Sequence, residues 1–183
     1  MPSSGESRNP KILCLIGFMG SGKSTVARLL ARQIGWYAVD LDRRIVDRAG
    51  MPIPEIFKRH GEPAFRDLEF EELGRVLGES IEQGKRMILS LGGGTTAQPR
   101  SLERLRENNC TLIWLHCPVE ELLRRCARIT DRPLFRDAAS FRKLYEERQP
   151  SYELADYRIE SAVEPLRVVE QILNLGIHER VPA

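Results

Sequence analysis

Short apolar runs alternate along this chain with longer segments whose apolar residues recur at helical spacing. The predicted strands span residues 12–16, 37–40, 87–91 and 111–116, with a short strand near 158–159. The predicted helices span residues 23–34, 43–49, 54–60, 65–83, 100–107, 119–127, 138–148 and 164–175, and Gly50 and Gly61 stand where helices are expected to end. This alternation predicts an α/β protein, a parallel sheet covered by helices on both faces, with its functional site at the carboxyl ends of the strands.

The length and composition fit one globular domain. The chain has 183 residues, of which 42% are hydrophobic and 30% are charged, a balance typical of soluble folded proteins rather than disordered ones. We place the domain at residues 11–176, after a disordered N-terminal tail (1–10) and before a C-terminal tail (177–183). No internal repeat or linker divides the domain.

The charge balance and the cysteines limit the partners and the compartment. Lys and Arg total 28 and Asp and Glu total 26, a net charge of +2, which argues against a nucleic-acid protein held by bulk charge. No apolar run approaches the roughly 20 residues that span a bilayer, and the N-terminus is polar, without a secretory signal. The four cysteines, at 14, 110, 117 and 126, include no C-x-x-C pair. These features favour a protein of the reducing cytoplasm without nucleic-acid or membrane partners. We also expect a monomer.

A phosphate-binding motif follows the first predicted strand. Residues Gly17 to Ser24 match G-x-x-x-x-G-K-[ST] and lie between an apolar strand and an amphipathic helix, the context in which backbone N–H groups and a helix N-terminus bind phosphates. Lys23 can neutralise charge on the transferred phosphoryl group, and the Ser24 hydroxyl can coordinate Mg²⁺. ATP binding is assigned to Gly20, Ser21, Gly22, Lys23, Ser24 and Thr25. An ordinary glycine turn is the alternative.

The rest of the chain narrows the class of nucleotide enzyme. A GTPase needs an N-K-x-D sequence, which the chain lacks; Asp47 to Gly50 fits D-x-x-G but lies in a predicted helix. A large motor or ATPase of the AAA type needs a much longer chain. A small kinase therefore remains.

Two carboxylates follow the second predicted strand. If residues 40–42 are extended, Asp40 and Asp42 point to the same side of the chain, next to the phosphate-binding loop. Asp40 is then the expected ligand of magnesium-bound water. Asp42, further out, can bind substrate hydroxyls and accept the proton of the attacking one. The alternative for Asp42 is an ordinary helix N-cap.

Arginines and a glycine run complete the candidate site. Arg66 and Glu69 are three residues apart in a predicted helix, so the carboxylate can orient the guanidinium, although an exposed surface pair is the alternative. Gly92, Gly93 and Gly94 follow the third predicted strand and allow close approach of a ligand, or form a flexible turn. Arg132 lies in a polar segment suited to a mobile lid (128–137). Arg148 serves either the site or its own helix C-terminus. This set indicates a small anionic substrate with hydroxyl groups.

In this order, these motifs resemble the shikimate kinase family. The match extends from Ile12 to Leu175 and comprises Gly17-x-Met-Gly-x-Gly-Lys-Ser, Asp40-x-Asp42, Gly-Glu-x-x-Phe65-Arg66-x-x-Glu69, Gly92-Gly93-Gly94, Arg132-Pro133-Leu134 and Arg148-x-Pro150-x-Tyr152. The resemblance implies a three-layer P-loop fold like that of the nucleoside monophosphate kinases, with a five-stranded parallel sheet and a small lid. It also implies ATP- and Mg²⁺-dependent phosphorylation of the 3-hydroxyl of shikimate, in the chorismate pathway of aromatic amino acid biosynthesis.

The resemblance assigns further roles to single residues. The position of Asp42 is that of the proposed base, and Arg66 and Arg148 match the residues that bind the substrate carboxylate. Gly93 matches a glycine that touches the substrate. The aromatic residues that line the apolar side of the ring correspond to Phe57 and Phe65, and the arginines at the phosphates and near the adenine correspond to Arg132 and Arg125.

Two other functions compete with this hypothesis. A gluconate kinase of the same architecture also phosphorylates a hydroxylated carboxylate, but the ordered set of Asp40, Asp42, Phe65, Arg66 and the three glycines favours the shikimate enzymes. A sensing module without catalysis is disfavoured because such a protein is expected to have lost one of its catalytic side chains or to carry a DNA-binding domain.

Overall fold

The computed structural model describes residues 12–127 and 137–178. These residues form a five-stranded parallel sheet and the helices that pack on it. The strands are β1 (Ile12–Ile16), β2 (Tyr37–Asp40), β3 (Met87–Ser90), β4 (Thr111–His116) and β5 (Tyr157–Glu160), in the spatial order β2-β3-β1-β4-β5. The helices are α1 (Lys23–Ile34), α2 (Leu41–Ala49), α3 (Ile53–Glu82), α4 (Pro99–Glu107), α5 (Val119–Cys126), α6 (Ala138–Tyr152) and α7 (Pro165–Leu173). The predicted α/β class and the five parallel strands are confirmed.

The central strand β1 separates two hydrophobic cores. Because side chains alternate along a strand, Ile12, Cys14 and Ile16 pack with α2, α3 and α6, whereas Leu13 and Leu15 pack with α1 and α7. All five are buried, and burying one such aliphatic side chain stabilises a fold by about 1.5–3 kcal/mol. The continuous apolar run of β1 is therefore required by helices on both faces of the sheet.

The carboxyl ends of three strands meet at one edge of the sheet. Asp40 of β2 lies in register with Ser90 of β3, and Ser90 in turn lies beside Leu15 of β1. The loops after these strands therefore emerge side by side, and they contain the phosphate-binding motif, the paired aspartates and the three glycines.

The two predicted helices, 54–60 and 65–83, correspond to the two segments of α3, which meet at a break at Gly61. Gly61 has φ 79° and ψ 172°, a conformation that side-chain-bearing residues rarely adopt, so the helical path breaks where a helix end was predicted. The kink lies between Phe57 and Phe65. No helix within the described ranges is long and apolar enough to cross a membrane.

The start of α2 corrects one prediction. The helix begins at Leu41 rather than Arg43, and Asp40 is its N-cap, accepting a hydrogen bond from the N–H of Arg43 at 3.1 Å. Asp42 therefore lies in the first turn of α2, where acidic residues are favoured by the helix dipole. The prediction that residues 40–42 are extended is wrong, and so is the alternative of an N-cap at Asp42.

The remaining boundaries differ by a few residues. Helix α6 continues from the predicted end at Arg148 to Tyr152, with Pro150 in its last turn. Ile177, which the sequence places in a C-terminal tail, is buried in the core beneath α1 and α7. The predicted N-terminal tail (1–10) and most of the predicted lid, including Arg132, lie outside the described residues.

Candidate active site

The phosphate-binding loop joins β1 to α1. Lys23 is the first residue of α1, and its Nζ donates to the carbonyls of Gly17 and Phe18 at 2.8 and 3.0 Å. No described side chain caps the N-terminus of α1, so its first N–H groups are available to an anion. Ser21 Oγ is buried and has no hydrogen-bond partner within residues 12–127 and 137–178. The loop is thus organised around an ammonium group, open N–H donors and a spare hydroxyl, which suits a polyphosphate.

Three oxygen atoms converge beside this loop. Ser24 Oγ makes a short hydrogen bond to Asp40 Oδ2 and lies 3.5 Å from Ser90 Oγ. Hydroxyl and carboxylate oxygens are the ligands that Mg²⁺ prefers, directly or through water. The sequence singled out Ser24 and Asp40 but missed Ser90, although the end of an apolar strand directly before the three glycines was a usable signal.

The glycine run touches the other side of the phosphate-binding loop. A Cβ placed on Gly93 would lie 3.6 Å from the carbonyl oxygen of Gly17 and 3.7 Å from the amide nitrogen of Met19. Tyr152 OH donates to the carbonyl of Gly93 at 2.5 Å. Burial raises the pKa of the Tyr152 hydroxyl, so this group stays a neutral donor that ties α6 to the glycines. The sequence contained Tyr152 in a motif but gave it no role.

Two arginines from distant helices converge on Gly94. A Cβ on Gly94 would collide with Arg148 Nη1 and would lie 2.6 Å from Arg66 Nη2. Arg66 comes from α3 and Arg148 from α6. The alternative that Arg148 only complements its own helix end is disfavoured, because its guanidinium is directed to this loop. Two guanidinium groups at one glycine form a strong site for a carboxylate.

Arg66 is held by a buried carboxylate. Its Nη1 donates to Glu69 Oε2 at 2.8 Å, and the two side chains are 10% and 1% exposed. The alternative of an exposed surface pair is therefore wrong. Thr95, which follows the glycines, donates through Oγ1 to Glu69 Oε1 at 2.7 Å. The sequence missed Thr95, because nothing local distinguishes it from other threonines in loops.

Asp42 faces the first of the three glycines. A Cβ on Gly92 would lie 2.9 Å from Asp42 Oδ1, 2.9 Å from Glu69 Oε1 and 3.1 Å from Thr95 Oγ1. Asp42 is half-buried. The structure thus brings Asp42 together with the arginine site, although the helical start of α2, and not an extended segment, places it there.

Two phenylalanines flank the kink of α3. The rings of Phe57 and Phe65 are 4.6 Å apart between centroids, and Arg66 Cζ lies 5.1 Å from the centroid of Phe65. Phe65 is buried and Phe57 is half-buried. The pair adds an aromatic surface beside the arginine site.

Arg125 bridges the phosphate-binding loop and the loop after β5. It donates to the carbonyls of Gly20 at 3.3 Å and Ser161 at 3.0 Å. Glu121 accepts from its Nε at 2.7 Å. Hydrogen bonds from Arg124 and Arg125 lower the pKa of Glu121 to about 2, so this carboxylate is charged at all physiological pH values. The sequence missed Glu121 and Ser161 as partners of Arg125.

Comparisons with known proteins agree on one family. The family model for shikimate kinase matches residues 19–175. A shikimate kinase of Persephonella marina is 40% identical over 162 residues, which cover 87% of this chain and 95% of that protein. The structure of "Shikimate kinase from Acinetobacter baumannii in complex with shikimate" has a TM-score of 0.83 and 32% identity, covering 93% of this chain and 95% of that one.

A more distant match is a kinase of the kind named in the competing gluconate kinase hypothesis. A gluconokinase of Sinorhizobium meliloti 1021 has a TM-score of 0.60 and 18% identity, covering 94% of both chains. Identity at this level shows a shared fold alone.

Proposed function

The chain belongs to the shikimate kinase family, and from that premise we propose how its residues transfer the γ-phosphoryl group of ATP to the 3-hydroxyl of shikimate. The products are shikimate 3-phosphate and ADP, and the reaction belongs to the shikimate pathway, which supplies chorismate for aromatic amino acids. The observation that carries the assignment of residues is the convergence of Arg66 and Arg148 on Gly94, next to Asp42 and beside the phosphate-binding loop.

The residues Gly20 to Thr25 bind the phosphates of ATP. The open N–H groups at the start of α1 receive phosphate oxygens, and the Ser21 hydroxyl is available as a further donor. Lys23 lies inside the loop on two carbonyls, and it moves to the phosphate oxygens as negative charge develops there. Its contribution is electrostatic stabilisation of the transition state.

Ser24 and Asp40 would hold Mg²⁺, with Ser90 beside them. The fit rests on the three oxygen atoms that already converge at the ends of β2 and β3 and the start of α1. When bound, Mg²⁺ neutralises phosphate charge that would otherwise repel the attacking hydroxyl. Asp40 also caps α2, so one side chain joins the metal site to the helix that carries Asp42.

The arginine pair and the phenylalanines bind shikimate. Arg66 and Arg148 hold the carboxylate at Gly94, and Phe57 and Phe65 line the apolar side of the ring. Gly92, Gly93 and Gly94 let the ring approach the backbone closely, because a side chain at Gly92 or Gly94 would occupy the space of the charged groups. This orientation places a hydroxyl, rather than the carboxylate, toward the phosphates.

Asp42 accepts the proton of the attacking 3-hydroxyl. Its carboxylate faces Gly92 between the arginine site and the phosphate-binding loop, and it cannot favourably face phosphate oxygens. Hydrogen bonding to the hydroxyl orients its oxygen for attack on the γ-phosphorus, and the proton moves to Asp42 as the new P–O bond forms.

Two further assignments concern the nucleotide. Arg125, which spans the Gly20 and Ser161 carbonyls, lies beside the adenine. Arg132, outside the described residues, binds the phosphates from the lid as a third catalytic residue with Lys23 and Asp42. We also infer a monomeric cytoplasmic enzyme without nucleic-acid or membrane partners, which light scattering of the purified protein and cell fractionation would test.

A coupled ADP-release assay tests the substrate and the assignment together. Shikimate, gluconate and nucleoside monophosphates are compared side by side, and we expect turnover with shikimate alone. In the same assay, Arg66→Lys should raise the KM for shikimate by more than about tenfold, because lysine lacks the planar two-point contact with a carboxylate. The KM for ATP should change little.

The matched control is Arg142→Lys. Arg142 pairs with Glu120 at an exposed position, and neither KM should move. Faster turnover of gluconate would favour the competing kinase, and a larger change in the KM for ATP would transfer Arg66 to the nucleotide side.

A further inference from the structure

A buried hydroxyl lies behind the arginine that binds the substrate. The side chain of Thr95 is 0% exposed, and its Oγ1 donates to Glu69 Oε1 at 2.7 Å. The other carboxylate oxygen of Glu69 accepts from Arg66 Nη1 at 2.8 Å. Each oxygen of Glu69 thus has its own donor, one from the loop after the glycines and one from α3.

The backbone of Thr95 is fixed as firmly as its side chain. Its N–H donates to the carbonyl of Gly92 at 3.2 Å, and its carbonyl accepts from the N–H of Gln98 at 3.2 Å. These two turns tie Thr95 to the same loop that approaches Arg66 and Arg148. The hydroxyl therefore defines the position of the Glu69 carboxylate relative to the glycines.

A second carboxylate binds the other N–H groups of the same guanidinium. Glu62 Oε1 accepts from Nε and Nη2 of Arg66 at 3.2 and 3.1 Å. The side chain of Glu62 is 58% exposed, whereas that of Glu69 is 1% exposed. Arg66 is thus held between an inner and an outer partner, and its direction depends on how firmly the inner carboxylate is oriented.

We propose that Thr95 is a positioning residue for the substrate carboxylate. Its hydroxyl prevents rotation of the Glu69 carboxylate, which keeps Arg66 Nη1 on the inner partner and Nη2 beside Gly94. Without the hydroxyl, Glu69 turns and Arg66 follows the exposed Glu62 away from Arg148. This inference rests on the proposed function, in which Arg66 and Arg148 bind that carboxylate.

The test compares variants that differ by one hydroxyl. Thr95→Val retains the volume and removes the donor, and we expect the KM for shikimate to rise about tenfold, the scale of one hydrogen bond to a charged group. The kcat value and the KM for ATP should stay within about twofold of the parent protein. Thr95→Ser should restore the KM for shikimate because it retains the donor.

A second pair keeps the test decisive if Thr95→Val does not fold. Thr95→Ala and Thr95→Ser both leave a small cavity, and they too differ by the hydroxyl. Equal KM values for shikimate in these two variants would overturn the proposal. The matched control is Thr96→Val, because Thr96 is also buried but its hydroxyl lies 3.4 Å from Ser151 Oγ rather than on Glu69; its KM values should stay near those of the parent.

A substrate analogue separates positioning from general damage. With the carboxylate of shikimate replaced by a hydroxymethyl group, the parent protein and Thr95→Val should have equal KM values. If Thr95→Val raised the KM for shikimate and the KM for the analogue equally, that result would contradict a role of Thr95 through Arg66. If Arg66→Lys leaves the KM for shikimate unchanged, the proposed function fails; if Arg66→Lys raises it and Thr95→Val does not, this inference alone fails.

Discussion

The two halves of the site are built in opposite ways. The phosphate half consists of eight consecutive residues, Gly17 to Ser24, and offers mainly backbone N–H groups at the start of one helix. The other half, which we call the acid half because we propose that it binds the carboxylic acid group of the substrate, combines side chains from α2, α3, α6 and the glycine loop. Arg66 and Glu69 are buried against each other there. The first is a local backbone conformation, and the second is an assembly of charged side chains.

This difference predicts different sensitivities. A backbone site tolerates changes in its surroundings as long as the turn and the helix form. A buried charge pair does not, because removing or shifting one partner leaves the other without compensation. The phosphate half should therefore depend most strongly on one side chain, Lys23, whereas the acid half should respond to changes at several positions.

The largest effect is expected at Lys23. Lys23→Ala should lower kcat by about 10³-fold or more, because the only described ammonium inside the loop is lost while phosphate charge still develops. The melting temperature should change little, and Lys85→Ala, at a distant surface position where Lys85 stacks on Tyr37, is the control. An unchanged kcat would remove the phosphate loop from the catalytic site.

Asp42 tests the point where the two halves meet. Asp42→Asn should lower kcat by at least about 100-fold, since a general base typically contributes about 10²–10⁴-fold. Losing the negative charge of Asp42 from the first turn of α2 should lower the free energy of unfolding by no more than about 1 kcal/mol. A near-normal kcat would require another base.

Asp40→Asn is the contrasting change at the proposed magnesium site, where Asp40 meets Ser24 of the phosphate half. Asn caps a helix about as well as Asp, so α2 should stay intact and keep Asp42 in place. The Mg²⁺ concentration needed for half-maximal rate should rise, because the carboxylate assigned to the metal is lost. An unchanged Mg²⁺ dependence would contradict that assignment.

Gly94 sharpens the comparison on the acid half. Gly94→Ala should raise the KM for shikimate by about tenfold or more with little change in the KM for ATP, because the added Cβ would displace the guanidinium of Arg148. Gly78→Ala, in α3, is the matched control, since nothing lies within 4 Å of its Cβ. That control should retain activity and gain roughly 0.5–1 kcal/mol of stability.

The smallest effect is expected at Glu121, on the nucleotide side. Glu121→Gln loosens Arg125 and should raise the KM for ATP by no more than about fivefold, because the pair is still partly accessible to solvent and such pairs contribute little. Because the folded-state pKa of Glu121 is lowered from 4.5 to about 2, its stabilising effect is fully present above about pH 4.5 and is lost as the pH falls toward 2. The gap in melting temperature between parent and variant should therefore be constant from pH 5 to 8 and narrow below pH 4.5.

The sequence by itself determined the sheet, the phosphate-binding loop and the family. Apolar runs of strand length mark where β1, β3 and β4 form, and the spacing from Gly17 to Ser24 determines a local backbone shape. Both depend on neighbouring residues only, which is why the pattern predicted them. The three-residue spacing of Arg66 and Glu69 likewise predicted their contact. It did not decide whether this pair is buried in the site or exposed on the surface.

Only the tertiary structure decided how the acid half is assembled. Asp42 lies beside Gly92 for a reason that the sequence did not predict, since the cap at Asp40 starts α2 two residues early and turns Asp42 toward that glycine. Arg148 of α6 lies beside Gly94, and Thr95 in the loop after the glycines donates to Glu69 of α3. These contacts join segments far apart in the chain, and their geometry follows from packing of the whole core rather than from any local spacing.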